Sequence, residues 1–417
     1  MRQSGIHEVA TAESGRAPGL RLALFTGAYD HIRDGVSLTL NRLVRYLEDR
    51  GAAVRVYAPT VPHPALTGAG TLVPLRSVRA PGRPDYRVSL GIPGSVRRDL
   101  NEFRPNLVHI ATPDIAGRAA LRWAHRRRLP VVASYHTHFV SYLDYYRAAP
   151  LEGAVWHYLR WFYSRCAHVY VPSESMARVL SAQGISDNAR LWPRGVDVVR
   201  FSPSVRSSAW REGVPGSIGD PIVTFVSRVV AEKGIEVFAG VIEELRRRRV
   251  PHRSAVVGDG PERAALERRL ASPSPGADTF AAGADMAPPG ATRFTGTLQD
   301  AELATAYASS DIFLFPSETE TFGNVVLEAM ASGLPCVCAD ATGSASLVKP
   351  GETGFLAEPR NVADFTAHVE RLCRDSALRA RMGSTARAAS ESLDWDRVLA
   401  TILGYYAELV DIRTPAT

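Results

Sequence analysis

Cysteine, lysine and long apolar runs are all scarce in this chain of 417 residues. The four cysteines (Cys166, Cys336, Cys338 and Cys373) contain one close pair, with neither a second pair nor histidine partners beside it. Such a pair does not predict a zinc site, and buried reduced thiols in a reducing cytosol are expected instead. No run approaches about eighteen apolar residues. The opening residues are polar, so neither a membrane-spanning helix nor a secretory signal is expected.

The overall composition is that of a folded protein with a surplus of arginine. Apolar residues make up 45% and charged residues 22% of the chain, so disorder is not expected for its bulk. The formal net charge of +6 is carried mainly by arginine, as at Arg126–Arg128 and Arg246–Arg249. This surplus favours anionic partners such as sugar nucleotides, phospholipid surfaces or nucleic acid, although solvated helix faces explain it equally well.

Two successive runs of alternating strand and helix patterns indicate two domains. The first run begins with a strand at 22–25 and a helix over 37–50, whose apolar residues share one face. The second begins with a strand at 222–226, after a polar stretch with Gly and Pro that is interpreted as a linker. This alternation predicts an α/β fold with two Rossmann-like, doubly wound parallel-sheet domains. Because such sheets bind ligands at the carboxyl ends of their strands, we expect the two domains to face each other across a cleft.

The predicted domain bounds follow from these patterns. A disordered tail covers 1–19, an N-terminal Rossmann-like acceptor domain covers 20–203, and a C-terminal Rossmann-like donor domain covers 204–390. The segment 271–291, rich in Pro, Gly and Ala, is interpreted as a mobile surface insertion. The last helix, within 391–417, is expected to pack back toward the N-terminal domain.

The strongest chemical signal is the stretch 316–330, which leaves an apolar strand and enters a helix near Asn324. Helix starts present unpaired N–H groups that suit phosphates or sugar hydroxyls. Glu320 would precede this helix and Glu328 would lie just over one turn inside it. Because a carboxylate accepts two hydrogen bonds, Glu328 could bind a ribose diol while Glu320 faces the transferred sugar. Alternatively, Glu320 is a helix cap and Glu328 a solvated helix charge.

A second signal follows the first strand of the second half, where Arg228 and Lys233 lie in a strand-to-helix loop. A planar guanidinium fork and a compact ammonium group together can bind a pyrophosphate, unless they are surface cations beside a capped helix. In the first half, Gly35 would let the backbone approach a phosphate closely. Its distance from Gly27 does not fit G-x-G-x-x-G, which disfavours a nicotinamide site.

A third signal is the segment 134–138, Ser-Tyr-His-Thr-His, at the end of a strand. His136 and His138 have no third ligand of the right type nearby, so zinc binding is not expected. A hydrogen bond to donor or acceptor and a buried structural histidine both remain open. Asp394 and Asp396 have the spacing of a D-x-D metal site, but helix capping explains them better.

In this order and spacing, the motifs resemble those of the retaining glycosyltransferases of GT-B family four, over about residues 20–410. The E-x7-E pair Glu320 and Glu328, the Arg228/Lys233 pair, the Gly35-Val36 loop and the turn at 195–197 carry the resemblance. The Asp34-Gly35-Val36 start and the histidine segment look most like bacterial lipid glycosyltransferases, including sulfolipid synthase and related mannosyltransferases. The stretch 343–348 departs from the commoner G-G-x-x-E-x-V form, which leaves the sugar donor open.

The resemblance implies roles for individual residues. Arg228 and Lys233 would bind the diphosphate, Glu328 the ribose and Glu320 the donor sugar, with His136 near the reacting sugar. The catalytic set is therefore His136, Glu320, Arg228 and Lys233. The donor-binding set adds Gly35, Gly258, Gly260, Thr321, Phe322, Gly323, Asn324, Val325 and Glu328, and the acceptor side comprises His138, Arg194 and Asp197.

The activity implied by the resemblance is that of a retaining hexosyltransferase without a cofactor or metal. It would move a hexose from a UDP- or GDP-sugar to a hydroxyl acceptor, with a lipid or glycolipid at the inner membrane face as the expected class. The expected location is cytoplasmic, with peripheral attachment to an anionic membrane. A GT-B sugar-nucleotide epimerase or phosphorylase and a non-catalytic sugar-nucleotide-binding partner remain alternatives.

The N-terminal half combines arginines and aromatic residues that could dock an anionic membrane. Solvated helix faces beside a packed aromatic cluster explain the same residues equally well. No nucleic-acid-binding module is recognisable, so no nucleic-acid partner is expected. The residues concerned are Arg97, Arg98, Arg118, Arg122, Arg126–Arg128, Tyr142, Tyr145, Tyr146 and Trp156.

Overall fold

The computed structural model describes the residues 15–32, 34–80, 83–135, 152–185, 188–271, 292–320, 322–341 and 343–413. They form two compact units. The first contains the described residues up to Pro193 together with those from Asp396 onward, and the second runs from Arg194 to Trp395. The predicted boundary after residue 203 lies later in the chain than this division, because Val196 and Phe201 already pack in the core of the second unit.

The first unit is built on parallel strands with a short hairpin beside them. Its strands are β1 (Arg21–Phe25), β2 (Ala53–Pro59), β3 (Thr71–Leu75), β4 (Ser77–Ala80), β5 (Arg83–Ser89), β6 (Leu107–Ile110), β7 (Val131–Ser134), β8 (His168–Val171) and β9 (Ala189–Leu191). Among the described residues, seven of these form one sheet in the order β3-β2-β1-β6-β7-β8-β9, and β4 pairs with β5. The strand order reverses beside β1, which is typical of doubly wound folds.

Five helices of the first unit precede the second unit in the described chain, and most of a sixth follows it. They are α1 (Gly35–Glu48), α2 (Gly94–Phe103), α3 (Ile115–Arg126), α4 (Glu152–Tyr163), α5 (Glu174–Ala182) and α13 (Trp395–Ala407). The first of them begins two residues before the predicted start, because the Asp34 carboxylate accepts hydrogen bonds from the N–H groups of Val36 and Ser37 at 3.1 and 2.8 Å. Such a cap satisfies N–H groups that the helix itself cannot pair.

The final helix packs on the sheet of the first unit through a buried polar contact. Nδ1 of His109 lies 2.7 Å from the Tyr406 hydroxyl, and Nε2 lies 2.5 Å from Oγ of Ser134. Burial lowers the pKa of His109 to about 3, so the imidazole is neutral at physiological pH. Residues 15–19 of the predicted tail also belong to the fold, since the N–H of Gly19 donates to the Ile412 carbonyl oxygen at 2.9 Å. The earlier tail lies outside the described residues.

The second unit repeats the same architecture. Its strands are β10 (Ile222–Val226), β11 (Arg253–Val257), β12 (Thr292–Gly296), β13 (Ile312–Phe315), β14 (Cys336–Ala339) and β15 (Gly354–Ala357). Within the described chain they form a six-stranded parallel sheet in the order β12-β11-β10-β13-β14-β15, the order of a Rossmann fold. The two parallel sheets confirm the predicted fold class.

Helices cover both halves of this second sheet. They are α6 (Ser208–Glu212), α7 (Ile235–Arg247), α8 (Arg263–Ala271), α9 (Asp300–Ala308), α10 (Asn324–Ala331), α11 (Val362–Arg374) and α12 (Ser376–Glu391). The interpretation of 204–221 as a linker is wrong in part, because Oγ of Ser207 caps α6 by accepting from the N–H of Trp210 at 3.2 Å. Of the predicted insertion at 271–291, all but Ala271 lies outside the described residues.

Candidate active site

Three loops meet at the carboxyl edge of the second sheet, where its strand order reverses between β10 and β13. They follow β10, β11 and β13. Glycines allow their backbones to touch: Gly234 has a φ of 73°, and a Cβ there would overlap the Pro316 carbonyl oxygen. Gly258 has a φ of 138°, and a Cβ there would overlap the carbonyl oxygen of Ser227. Gly260 lies in a similarly close contact with a neighbouring backbone. A reversal point of this kind is the usual ligand-binding crevice of an open α/β sheet.

An ion pair joins two of these loops. Nζ of Lys233, after β10, lies 2.5 Å from Oε1 of Glu320, after β13. Their side chains are 12% and 24% exposed, so the pair is only partly accessible to water. The alternative interpretation of Glu320 as a helix cap is wrong, because Gly323 occupies the cap position of α10 and none of the described side chains caps this helix. The structure therefore brings together two predicted catalytic residues that are far apart in the sequence.

The second predicted phosphate-binding cation has a different environment. Arg228 is exposed, and its guanidinium pairs with the Glu232 carboxylate of the same loop at 2.9 Å. This contact joins residues four apart at the surface and is weak in water. An exposed guanidinium with such a partner can turn to bind a phosphate at small cost.

Glu328 lies in the second turn of α10 and is partly buried. The Tyr307 hydroxyl donates a hydrogen bond to its Oε2 at 3.2 Å. Burial raises the pKa of Glu328 to about 7. The alternative of a solvated helix charge is therefore wrong. Sequence reasoning missed Tyr307, because nothing in α9 distinguishes it from an ordinary core aromatic.

The start of α10 contains the other donor-binding residues predicted in this region. Phe322 is buried beneath it, Gly323 is its N-cap, and Asn324 and Val325 form its first turn. The predicted residue Thr321 lies outside the described residues. The arrangement offers carboxylates, cations and a helix N-terminus at one edge of the sheet, which together can bind a phosphorylated, hydroxyl-rich ligand.

The remaining predicted site residues lie elsewhere or outside the described ranges. Gly35 is the first residue of α1, in the first unit. Arg194 and Asp197, predicted on the acceptor side, belong to the second unit, where Asp197 accepts from the N–H of Arg200 at 2.9 Å. His136 and His138 are outside the described residues. Within the described ranges, no group of three His, Cys, Asp or Glu residues is placed to hold a metal ion.

A basic and aromatic surface lies on α3, α4 and the turn that follows α4 in the first unit. The guanidinium carbons of Arg118, Arg122 and Arg165 lie 5.4, 5.9 and 4.8 Å from the centre of the Trp161 ring. Ile115, at the start of α3, is 55% exposed. We call these five residues the Trp161 surface. Trp156, which the sequence placed in this surface, is instead buried and unavailable for docking.

Tyr142, Tyr145 and Tyr146, which the sequence also suggested for this surface, lie outside the described residues. Among the helices of the described ranges, none combines the length and apolar character that crossing a membrane requires.

Comparison with known proteins identifies the family. Residues 33–200 match the family model of Glycosyltransferase Family 4, and residues 220–375 match that of the group 1 glycosyl transferases. The Arabidopsis thaliana sulfoquinovosyl transferase SQD2 is 32% identical over 383 residues, which cover 90% of this chain and 71% of that protein.

Further relatives support the same family, and a solved structure supports the fold. A Mycobacterium tuberculosis GDP-mannose-dependent alpha-mannosyltransferase is 33% identical over 405 residues, covering 95% of this chain and 98% of that protein. The Streptococcus pneumoniae alpha-monoglucosyldiacylglycerol synthase is 23% identical over 326 residues, covering 76% of this chain and 70% of that protein. Sucrose-phosphate synthase from Thermosynechococcus elongatus superposes with a TM-score of 0.70 at 19% identity, over 93% of this chain and 98% of that one. The predicted resemblance and GT-B fold are confirmed, and the chain belongs to the family 4, group 1 glycosyltransferases as a hexosyltransferase.

Proposed function

We propose that this enzyme transfers a hexosyl group from a UDP- or GDP-linked sugar to a hydroxyl group of a lipid or glycolipid. The proposal rests on the Lys233–Glu320 pair at the point where the second sheet reverses its strand order. A cation for the diphosphate and a carboxylate for the sugar are thereby held at one place. The name of the mycobacterial relative supports a GDP-sugar donor, and that of the streptococcal relative supports a diacylglycerol-based acceptor.

In the proposed reaction, the bond between the sugar's anomeric carbon and the leaving phosphate oxygen breaks, and a bond to the acceptor oxygen forms on the same face. The acceptor hydroxyl gives its proton to the departing phosphate oxygen, so no protein nucleophile is needed. Because the attack occurs on the face that the phosphate leaves, the configuration is retained. Lys233, Arg228 and the N-terminus of α10 offset the developing negative charge. Glu328 accepts hydrogen bonds from the ribose, and Glu320 from the transferred sugar. No metal ion takes part in this proposal.

The donor is identified by thermal unfolding of the full chain with UDP, GDP, ADP and their sugars. Selective stabilisation by one base is expected, since a ligand that binds only the folded state raises the melting temperature. The stabilising sugar nucleotide is then offered with vesicles that contain diacylglycerol. Glycolipid formation is the expected result. Conversion of the donor without any acceptor would instead support an epimerase, and failure of every nucleotide to stabilise the chain would contradict the proposal.

A peripheral position on the inner face of a membrane is the second part of the proposal. The Trp161 surface supports it, because exposed guanidinium groups beside a tryptophan and an exposed isoleucine suit the headgroup region of an anionic bilayer. We expect co-sedimentation with vesicles containing phosphatidylglycerol at low salt, and its loss at high salt as the charges are screened.

Two double variants distinguish binding to vesicles through the Trp161 surface from attraction by the protein's net charge. Replacing Arg118 and Arg122 together by Glu should abolish co-sedimentation, because both belong to the Trp161 surface. Replacing Arg247 and Arg268 together by Glu is the matched control, since both are exposed helix arginines of the second unit and the change in net charge is the same. Equal loss of binding in both double variants would show that overall charge, not the Trp161 surface, holds the protein on the vesicle.

A further inference from the structure

Glu328 uses its two carboxylate oxygens differently. Oε2 accepts a hydrogen bond from the Tyr307 hydroxyl at 3.2 Å. Oε1 has no hydrogen-bond partner in the described part of the chain, and the side chain is only partly buried. A carboxylate can accept about four hydrogen bonds, so the bond from Tyr307 leaves most of this capacity to a ligand. One oxygen is thus held by the protein, while the other stays open.

The Tyr307 hydroxyl is itself fixed in place by packing. Tyr307 lies in α9 and is 0% exposed. The rings of Phe313, on β13, and of Phe201 pack edge-on against its ring, with centroids 5.7 and 5.8 Å away. Edge-to-face contacts of this kind favour one orientation of each ring. The hydroxyl therefore reaches Glu328 from a rigid position, which is the condition for holding a binding group in one geometry.

Tyr307 and Glu328 are committed to each other. Within the described ranges, Glu328 is the only hydrogen-bond partner of the Tyr307 hydroxyl. Arg200 acts on Glu328 through its charge, but its guanidinium pairs with Asp300 at 2.8 Å and with Asp197 at 3.6 Å. Among the residues that the structure describes, Tyr307 is therefore the one group that donates directly to this carboxylate.

We propose that Tyr307 is a positioning residue, which orients the Glu328 carboxylate toward the ribose hydroxyls and so makes the donor site selective for ribonucleotides. This inference rests on the proposed glycosyl transfer, in which Glu328 accepts hydrogen bonds from the ribose. In this proposal Tyr307 touches neither the ribose nor the transferred sugar, and it acts through Glu328 alone. A glutamate without this bond would sample several rotamers, and ordering it on binding would cost affinity for the ribose hydroxyls.

The charge states of the two groups agree with this role. Burial raises the pKa of Tyr307 well above its usual value, so the hydroxyl keeps its proton and donates. Burial also raises the pKa of Glu328, whereas the hydrogen bond from Tyr307 and the charge of Arg200 oppose that rise. Tyr307 therefore also favours the ionised carboxylate, the form that accepts hydrogen bonds through both oxygens.

The test compares nucleotides with and without the ribose hydroxyls in the full chain. UDP, GDP and ADP, each beside its 2′,3′-dideoxy form, are titrated into the parent by isothermal calorimetry. The parent should bind the ribonucleotide of its preferred base about tenfold more tightly than the dideoxy form, or better, as expected for hydrogen bonds to a charged group. Tyr307→Phe should reduce this ratio about fivefold by weakening only the ribonucleotide, because the dideoxy form has no hydroxyls for Glu328 to bind.

Further variants separate positioning from a general loss of structure. Tyr406→Phe removes the hydroxyl of another fully buried tyrosine, in the first unit, and should keep the parent's ratio. In Glu328→Ala the oriented carboxylate is absent, so adding Tyr307→Phe should cause no further decrease of the ratio. Should Tyr307→Phe fail to melt cooperatively, Tyr307→Met is measured instead, since its flexible side chain fills irregular space, and it should show the same decrease.

The inference is overturned if Tyr307→Phe keeps the parent's ratio, if it weakens both forms of the nucleotide equally, or if it lowers the ratio further in Glu328→Ala. A parent that binds both forms equally well would overturn it too. Failure of the proposed function looks different, since in that case none of the three ribonucleotides binds the parent, and the inference falls with it.

Discussion

Replacing Arg228 or Lys233 by Ala should separate the contribution of charge to catalysis from its contribution to stability. Arg228 is 71% exposed and has one surface pair with Glu232, so its loss should change the free energy of unfolding by about 0.5 kcal/mol or less. Lys233 is 12% exposed and pairs with Glu320, which is 24% exposed. Its loss leaves a partly buried carboxylate unpaired and should cost about 2 kcal/mol, between the values of surface and buried pairs.

Both variants should nevertheless be poor enzymes. Each lacks one positive group proposed to stabilise the leaving diphosphate, and the loss of one such group typically costs about 3 kcal/mol of transition-state stabilisation. This corresponds to a decrease of kcat/KM of about 100-fold. For a unit of this size, we expect Lys233→Ala to lower the melting temperature by about 4–8 °C and Arg228→Ala by about 2 °C or less.

The assay is nucleoside diphosphate release during transfer, with melting measured on the same samples. Arg247→Ala is the control, since Arg247 is an exposed arginine paired with Glu244 in the same unit, on a helix rather than in the site. It should change neither quantity. A kcat/KM of Arg228→Ala within threefold of the parent would refute the role of this cation. Equal loss of stability in Arg228→Ala and Lys233→Ala would refute the difference in burial on which the magnitudes depend.

Three further predictions concern stability. Burial raises the pKa of Glu328 from 4.5 to about 7, so the folded state keeps a proton that the unfolded chain releases, and stability is lost as the pH rises between these values. Denaturant unfolding at pH 5 and pH 8 should show this loss, up to about 3 kcal/mol, in the parent and not in Glu328→Gln; equal losses would contradict it. Gly258→Ala should cost about 3 kcal/mol by urea unfolding, because its Cβ would overlap backbone. Gly351→Ala, also at positive φ but in open space, should cost only about 1 kcal/mol, and equal costs would exclude backbone overlap as the cause. Tyr406→Phe should cost about 1–2 kcal/mol by removing the partner of buried His109, while kcat stays unchanged; a neutral effect would show that this contact does not hold the last helix.

The sequence pattern predicted the elements that are apolar throughout or that carry a clear helical face. The strand at 222–226 coincides with β10, and the helix predicted over 37–50 overlaps most of α1. It missed β3, β4, β5, β9, β12 and β15, which lie at the edges of the two sheets or in the hairpin. These strands are short or interrupted by Pro, Gly or Arg, so they lack the apolar run that marks a central strand.

What the sequence alone determined is the architecture and the identity of the charged motif residues, because both depend on local patterns: apolar strands, capped helices and short spacings within one loop. Only the tertiary structure decided how those residues are used. It paired Lys233 with Glu320 and placed Tyr307 against Glu328. These properties depend on contacts between residues distant in the chain and on the exclusion of water, neither of which a local pattern encodes.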